Sequence, residues 1–196
     1  MKPNKQFNPA SIQGPPDRLP KLLLHSCCGP CSTAVLECLL PYFDVDILYF
    51  NPNIRPEEEY DRRVQVQREV LEKMSLPRPV SLVVCDYKPE VFTDAVRGLE
   101  GEPEGGARCL VCFRLRLEET TRRAKERGYD AFATTLSVSP HKDADALNRI
   151  GAEAGEKYGI TYLEANFKKN NGYKRSIELS RQLELYRQRY CGCLMG

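Results

Sequence analysis

Residues 21–31 read KLLLHSCCGPC, and this stretch decides the fold. Leu22, Leu23 and Leu24 form an apolar run too short for a helix and suited to a strand buried on both faces. Gly29-Pro30 follows at once. Proline is favoured in the first turn of a helix, where its missing N–H costs nothing, so a helix is predicted over Cys31–Leu40. A buried strand that turns tightly into a helix is the opening half of a βαβ unit.

The alternation continues outward. A second strand is predicted at Val45–Phe50, closed by the turn residues Asn51-Pro52-Asn53, and a long helix at Glu57–Met74. Val80–Cys85 reads as a third strand, Pro89–Arg97 as a short helix and Gly98–Gly106 as a loop. Cys109–Arg127 is a helix ended by Gly128, and Ala131–Leu136 a fourth strand. Asp143–Tyr158 is a helix ended by Gly159, Ile160–Leu163 a fifth strand and Ser176–Arg189 a last helix. Five apolar runs separated by helices predict one α/β domain over residues 21–196, with a mostly parallel sheet of about five strands flanked by helices. Residues 1–20 carry Pro3, Pro9, Pro15, Pro16 and Pro20 and are expected to form a flexible extension. Ligands of such sheets bind beyond the carboxyl ends of the strands, where the strand order reverses. Cys27 and Cys28 fall just past the first strand.

The chain has 196 residues, of which 41% are hydrophobic and 29% charged, a composition that excludes fibrous and disordered classes. No apolar run approaches the length of a membrane span. The first twenty residues lack the apolar centre of a secretory signal, so a cytoplasmic location is expected. Nine cysteines then need a reason. An odd number in a reducing compartment points to metal binding or redox chemistry. The two histidines, His25 and His141, are too few for a histidine site, so any metal would sit on thiolates.

The cysteines cluster. Cys27, Cys28 and Cys31 lie in a strand-to-helix turn, where helix N–H groups favour thiolate or a bound anionic group. Cys109 and Cys112 share one face of a helix start, and Gly105-Gly106 let the preceding loop fold back on them. Two thiolates from each cluster would make a four-sulfur site for zinc or a [4Fe–4S] cluster. Cys191 and Cys193, one glycine apart, could close only a small strained ring, the labile kind of disulfide, or could bind a metal. Cys38 and Cys85 stand alone and read as packing residues.

Three readings follow. A thioredoxin-type pair at Cys28-Gly29-Pro30-Cys31 gives Cys109 and Cys112 no role. A structural zinc site on Cys28, Cys31, Cys109 and Cys112 implies a tRNA-binding or scaffolding protein with no chemistry. An iron–sulfur oxidoreductase uses all three clusters. Between Lys168 and Arg189 seven basic residues face only Glu178 and Glu184, a footprint for a polyanion or a solvated helix face. Lys169 and Arg175, with Tyr173 between them, are the expected phosphate and base contacts. Arg108 and Arg116 flank the second cysteine pair; they suit offsetting cluster charge or holding phosphate, or form surface ion pairs with Glu118 or Glu119. His141 and Lys142 are candidate proton donors.

Four blocks carry a resemblance. HSCCGPCS at 25–32, NPNIRPEEEYDRR at 51–63, GLEGEPEGGARCLVCFRLRLEET at 98–120 and YKRSIELSRQLELYRQRYCGC at 173–193 resemble, in order, blocks of the cobalamin-independent epoxyqueuosine reductases. The similarity spans about residues 21–194. It implies the last step of queuosine biosynthesis: removal of the epoxide oxygen from epoxyqueuosine in tRNA, with electrons from an external donor. It further implies Cys27, Cys28, Cys109 and Cys112 as [4Fe–4S] ligands, Cys191 and Cys193 as a redox-active disulfide, and a fold of the ATP-pyrophosphatase type. No Ser-Gly-Gly phosphate loop follows the first strand, so ATP binding is not expected. Cys31 matches no cluster ligand and is left open to a second, mononuclear iron shared with Cys191, Cys193 or a carboxylate.

Overall fold

The computed structural model describes residues 6–193. Five parallel strands, β1 (Lys21–His25), β2 (Asp44–Tyr49), β3 (Leu82–Val84), β4 (Ala131–Thr134) and β5 (Thr161–Tyr162), form one sheet in the order β3-β2-β1-β4-β5. Six helices flank it: α1 (Gly29–Leu39), α2 (Glu57–Lys73), α3 (Pro89–Ala95), α4 (Ala107–Glu126), α5 (Ala144–Tyr158) and α6 (Gly172–Gln182). This is the expected α/β architecture, with a Rossmann-like strand order.

Strand alternation divides the core. Leu22, Leu24, Val45, Ile47, Ala131 and Ala133 face one layer, where they meet Val35, Leu36 and Leu39 of α1 and Val66 and Val70 of α2. Leu23, Leu48 and Phe132 point the other way, onto Phe113 and Leu117 of α4 and Leu147 and Ile150 of α5. Because successive side chains of a strand point to opposite faces, a strand covered on both sides must be apolar at every position. Leu22, Leu23 and Leu24 meet that demand and are almost fully buried.

The strand order reverses at β1. Crossovers leave it towards β2 on one side and return to β4 on the other, which opens a crevice beyond the β1 and β4 carboxyl ends. His25 pairs with Thr134 at that edge, and its Nδ1 lies 3.0 Å from the Thr134 hydroxyl.

The last helix, the fourth strand and both edge strands differ from expectation. The last helix begins at Gly172 and ends at Gln182, not Ser176–Arg189. It starts early because Asn171 turns left-handed and Gly172 approaches Phe167 so closely that a Cβ would fall 1.9 Å from the Phe167 carbonyl oxygen. It stops where Glu184 adopts a positive φ of 51° and Leu185 N–H turns back to the Ser180 carbonyl. The strand at Ala131–Leu136 ends at Thr134, and a 3-10 turn covers Thr135–Val138. Described residues of the N-terminal extension touch the α/β body. Phe7 bridges Ala165 and lies against Tyr42, Phe43 and Phe167, while Arg18 pairs with Asp130 at 2.7 Å. Phe7 and Ile12 are both buried there, and burial of large apolar side chains favours that docking.

Candidate active site: a thiol-lined cavity beyond the sheet

The turn from β1 into α1 is held by buried polar contacts. Ser26 N–H donates to the Leu48 carbonyl, the Asn51 amide donates to the Ser26 carbonyl at 2.8 Å, and the Ser26 hydroxyl donates to Gln67 at 2.8 Å. Cys28 occupies the cap position of α1 in extended conformation, and its side chain makes no capping bond. Its sulfur is therefore free to point elsewhere. Gly29 lets α1 press on α2, since a Cβ there would come within 2.7 Å of the Val66 carbonyl oxygen.

A cavity of about 720 Å³ opens above this turn. Cys27, Cys28 and Cys31 line one wall, Lys142 and the loop after β4 another, and the chain from Tyr173 to Cys191 the third. The volume suits a nucleoside-sized ligand. The shortened α6 matters here, because residues 183–191 run back as an irregular segment and bring Cys191 over the first cysteine cluster.

The C-terminal segment is pinned from α2. Arg63, 2% exposed, donates from Nη1 to the Cys191 carbonyl at 2.9 Å and from Nε to Glu59 at 2.6 Å. The Tyr186 hydroxyl donates to the same Glu59 at 3.2 Å, and Arg55 N–H donates to the Gly192 carbonyl at 2.9 Å. Gly192 has φ +107°, and a Cβ would meet the Arg63 guanidinium at 3.1 Å.

Cys109 and Cys112 do not line the cavity. Gly105, at φ +92°, donates its N–H to the Cys109 sulfur at 3.2 Å, the folding back that the paired glycines predict. Cys112 is buried beside Phe92, Val96 and Cys193, and Cys109 packs on the same apolar layer as Cys27. What joins the groups is Arg116. Its Nε donates to the Cys112 carbonyl at 3.2 Å. Burial opposes its charge, and Cys112, Cys27, Cys191 and Cys109 together outweigh that burial, so its pKa lies above the ordinary arginine value. Among the described residues no carboxylate pairs with it; the surface ion pairs with Glu118 and Glu119 are made by Arg114, Lys157, Arg122 and Arg123 instead. Arg108 is buried too, and donates to the Glu100 carbonyl at 2.7 Å.

The thiols are electrically distinct. Hydrogen bonds from Cys28 and Cys31 hold Cys27 well below the usual thiol range, helped by Arg116 and Lys142. Its partners move the other way: Cys28 is pushed up to about 12, and Cys31 is raised, by their bonds to Cys27. Cys191 is lowered to about 5, first by Cys193 and then by Lys142, whose Nζ stands 3.6 Å from the sulfur, and Arg116. Among the described residues no two cysteines are joined by a disulfide. Among the described residues no group of three or more His, Cys, Asp and Glu side chains is arranged to hold a metal ion. The donor set nevertheless fits a thiolate-bound group, because Cys27 and Cys191, both held below the usual thiol range, line the cavity together with the buried Arg116 guanidinium.

Of the predicted polyanion contacts, Arg175 is bound to Glu37 at 2.7 Å and Glu178 at 3.6 Å, and neither it nor Lys169 lines the cavity. Arg181, Arg187 and Arg189 do. His141 lines the cavity but is exposed, whereas Lys142 is the residue aimed at sulfur. Arg63 was not singled out by sequence reasoning. Its signal was helical phase: it shares the buried face of α2 with Tyr60, Val64 and Gln67.

Comparison with known proteins agrees with this geometry. The family model "Epoxyqueuosine reductase QueH" matches residues 22–196. A Streptococcus pyogenes protein named epoxyqueuosine reductase QueH is 44% identical over 177 residues, covering 89% of this chain and 69% of that one. A Staphylococcus epidermidis protein of the same name is 44% identical over 181 residues, covering 90% and 76%. One from Thermotoga maritima is 34% identical, covering 89% of each chain. With its cysteine-lined crevice and a match across nearly its whole length, the chain belongs to the QueH epoxyqueuosine reductase family.

Proposed function

We propose that the protein is an epoxyqueuosine reductase that removes the epoxide oxygen of epoxyqueuosine in tRNA, as a cytoplasmic iron–sulfur enzyme. The observation that carries the chemical part is the buried Arg116, which lines the same cavity as Cys27, Cys28, Cys31 and Cys191 while its Nε donates to the Cys112 carbonyl at 3.2 Å. A [4Fe–4S] cluster held by Cys27, Cys28, Cys109 and Cys112 would supply one-electron transfer at low potential and a Lewis-acidic iron.

The reaction converts an epoxide, two electrons and two protons into an alkene and water. The Cys191 thiolate and the Cys193 thiol can supply the electrons: their oxidation to a disulfide releases two electrons and one proton, the second proton comes from Lys142, and an external reductant restores the reduced pair. Arg63 and Arg55 hold the backbone of this pair in place. Lys142, with its Nζ 3.6 Å from the Cys191 sulfur, supports Cys193 in favouring the Cys191 thiolate and serves in this reading as proton donor to the leaving oxygen. Cys31 lines the cavity and could, as thiolate, contribute to a second iron.

The alternatives fit less well. A thioredoxin-type site needs its leading cysteine as the thiolate, yet here Cys28 is pushed up to about 12 and Cys27 carries the charge. A closed structural zinc site leaves the cavity and the C-terminal pair without a task. The test is anaerobic purification with an absorption spectrum and iron and sulfide analysis. A brown protein with acid-labile sulfide, bleached and inactivated by Cys109→Ser, is expected; a colourless protein with one tightly bound zinc would sink the reading.

A further inference from the structure

We propose that the Tyr190 ring is a stacking platform for an unpaired RNA base beside the reacting nucleotide, with Arg181 and Arg189 holding the adjoining phosphates. The inference rests on the tRNA reading above and names the surface that serves it.

Tyr190 is the most exposed large apolar side chain among the described residues, at 46%, and it lines the cavity one position before Cys191. The ring is not loose. The Arg63 guanidinium lies 5.3 Å from its centroid and is itself fixed by Glu59 and by the Tyr190 and Cys191 carbonyls. A rigid ring backed by a cation stacks on a base with little ordering cost.

Charge selects the partner. The cavity wall carries six Lys or Arg side chains against Glu104 and Glu184. Most of the six are engaged inside the protein. Arg187 is bound to Ser176 and Ser180 and lies over Tyr173. Arg181 and Arg189 are exposed and, among the described residues, make no side-chain hydrogen bond or ion pair. A planar guanidinium without a carboxylate suits phosphate oxygens. An exposed ring between such groups matches the recognition of single-stranded RNA, in which bases stack on aromatics and cations follow the backbone. A paired duplex offers no free base face, so the proposed occupant is a loop.

The experiment measures fluorescence anisotropy of a short RNA hairpin with an unpaired loop, and of its blunt duplex stem, against the full-length protein from about 50 to 200 mM salt. Tyr190→Ala is expected to weaken hairpin binding about tenfold at every salt concentration, leaving duplex binding unchanged, and Tyr190→Phe to restore it to within about twofold. Arg181→Ala with Arg189→Ala is expected to flatten the salt dependence by about 1.4 in log–log slope, about 0.7 per contact. Equal affinity of wild type and Tyr190→Ala for the hairpin, or equal loss on hairpin and duplex, would overturn the platform. A wild type that deoxygenates an epoxyqueuosine-bearing hairpin while Tyr190→Ala binds it normally ends the platform alone. A wild type that neither binds the hairpin nor turns it over ends the functional reading and the platform together.

Discussion

Arg63 and Cys191 are 128 positions apart in the chain, yet the Arg63 guanidinium donates to the Cys191 carbonyl at 2.9 Å. The buried Glu59 neutralises the same arginine at 2.6 Å. Arg63→Met would leave that carboxylate buried and unpaired, and a cost of about 3–5 kcal/mol is expected in denaturant unfolding. The double variant Glu59→Gln/Arg63→Met should recover much of this loss, because the orphaned charge is gone.

Lys142 stands 3.6 Å from the Cys191 sulfur. A cation favours the anionic form of its neighbour, so removing it raises the thiol pKa from about 5. Alkylation of Cys191 in metal-free protein, followed by peptide mass spectrometry across pH, should show a half-reactive point that moves upward in Lys142→Met. Cys193→Ala should move it further, since the Cys193 bond is the larger cause. A profile unchanged by both substitutions would contradict the assignment.

Gly29 tests the packing beneath the site. A methyl group there meets the Val66 backbone, which cannot swing aside as a side chain can. Gly29→Ala is expected to lower stability by about 1–3 kcal/mol, read as a fall in melting temperature. An unchanged melting temperature would show that α1 can slide away from α2.

Asp130 accepts from Arg18 at 2.7 Å and from Lys21 N–H at 2.7 Å, and the Arg18 bond holds its pKa below the usual carboxylate range. A depressed native value means that its contribution is present above the unfolded pKa of about 3.9 and fades as pH falls through the lower native one. Asp130→Asn should therefore be less stable than wild type at neutral pH. The gap should close in acid, below about pH 4, when melting temperatures are compared across pH.

The sheet was legible because β1, β2 and β4 are buried on both faces, which forces runs such as Leu22-Leu23-Leu24 and Ala131-Phe132-Ala133. The edge strands were overestimated: β3 keeps only Leu82–Val84, with Val84 exposed, and β5 only Thr161–Tyr162. At an edge, apolar content no longer marks hydrogen-bonded extent. The last helix was misplaced because its start depends on a contact between Gly172 and Phe167 that no local pattern encodes. With that start, Arg175 pairs with Glu37, while Arg181 and Arg189 line the cavity. The cysteine groups were plain in the spacing. Their common neighbour Arg116 was seen only as one of several options, since burial of a helix arginine at that depth depends on which elements pack over α4.

The pairing of His25 with Thr134 has a consequence for how the protein must be handled. Segments 27–31, 109–112 and 191–193 gather only after a strand more than a hundred positions away has docked beside β1, and contacts so distant in sequence form slowly. A refolding chain thus spends its early life with nine separate sulfhydryls and no pocket to shelter them. Air during that interval would scramble them into mispaired bridges, so recovery from denaturant depends on a strong reductant being present from the first moment.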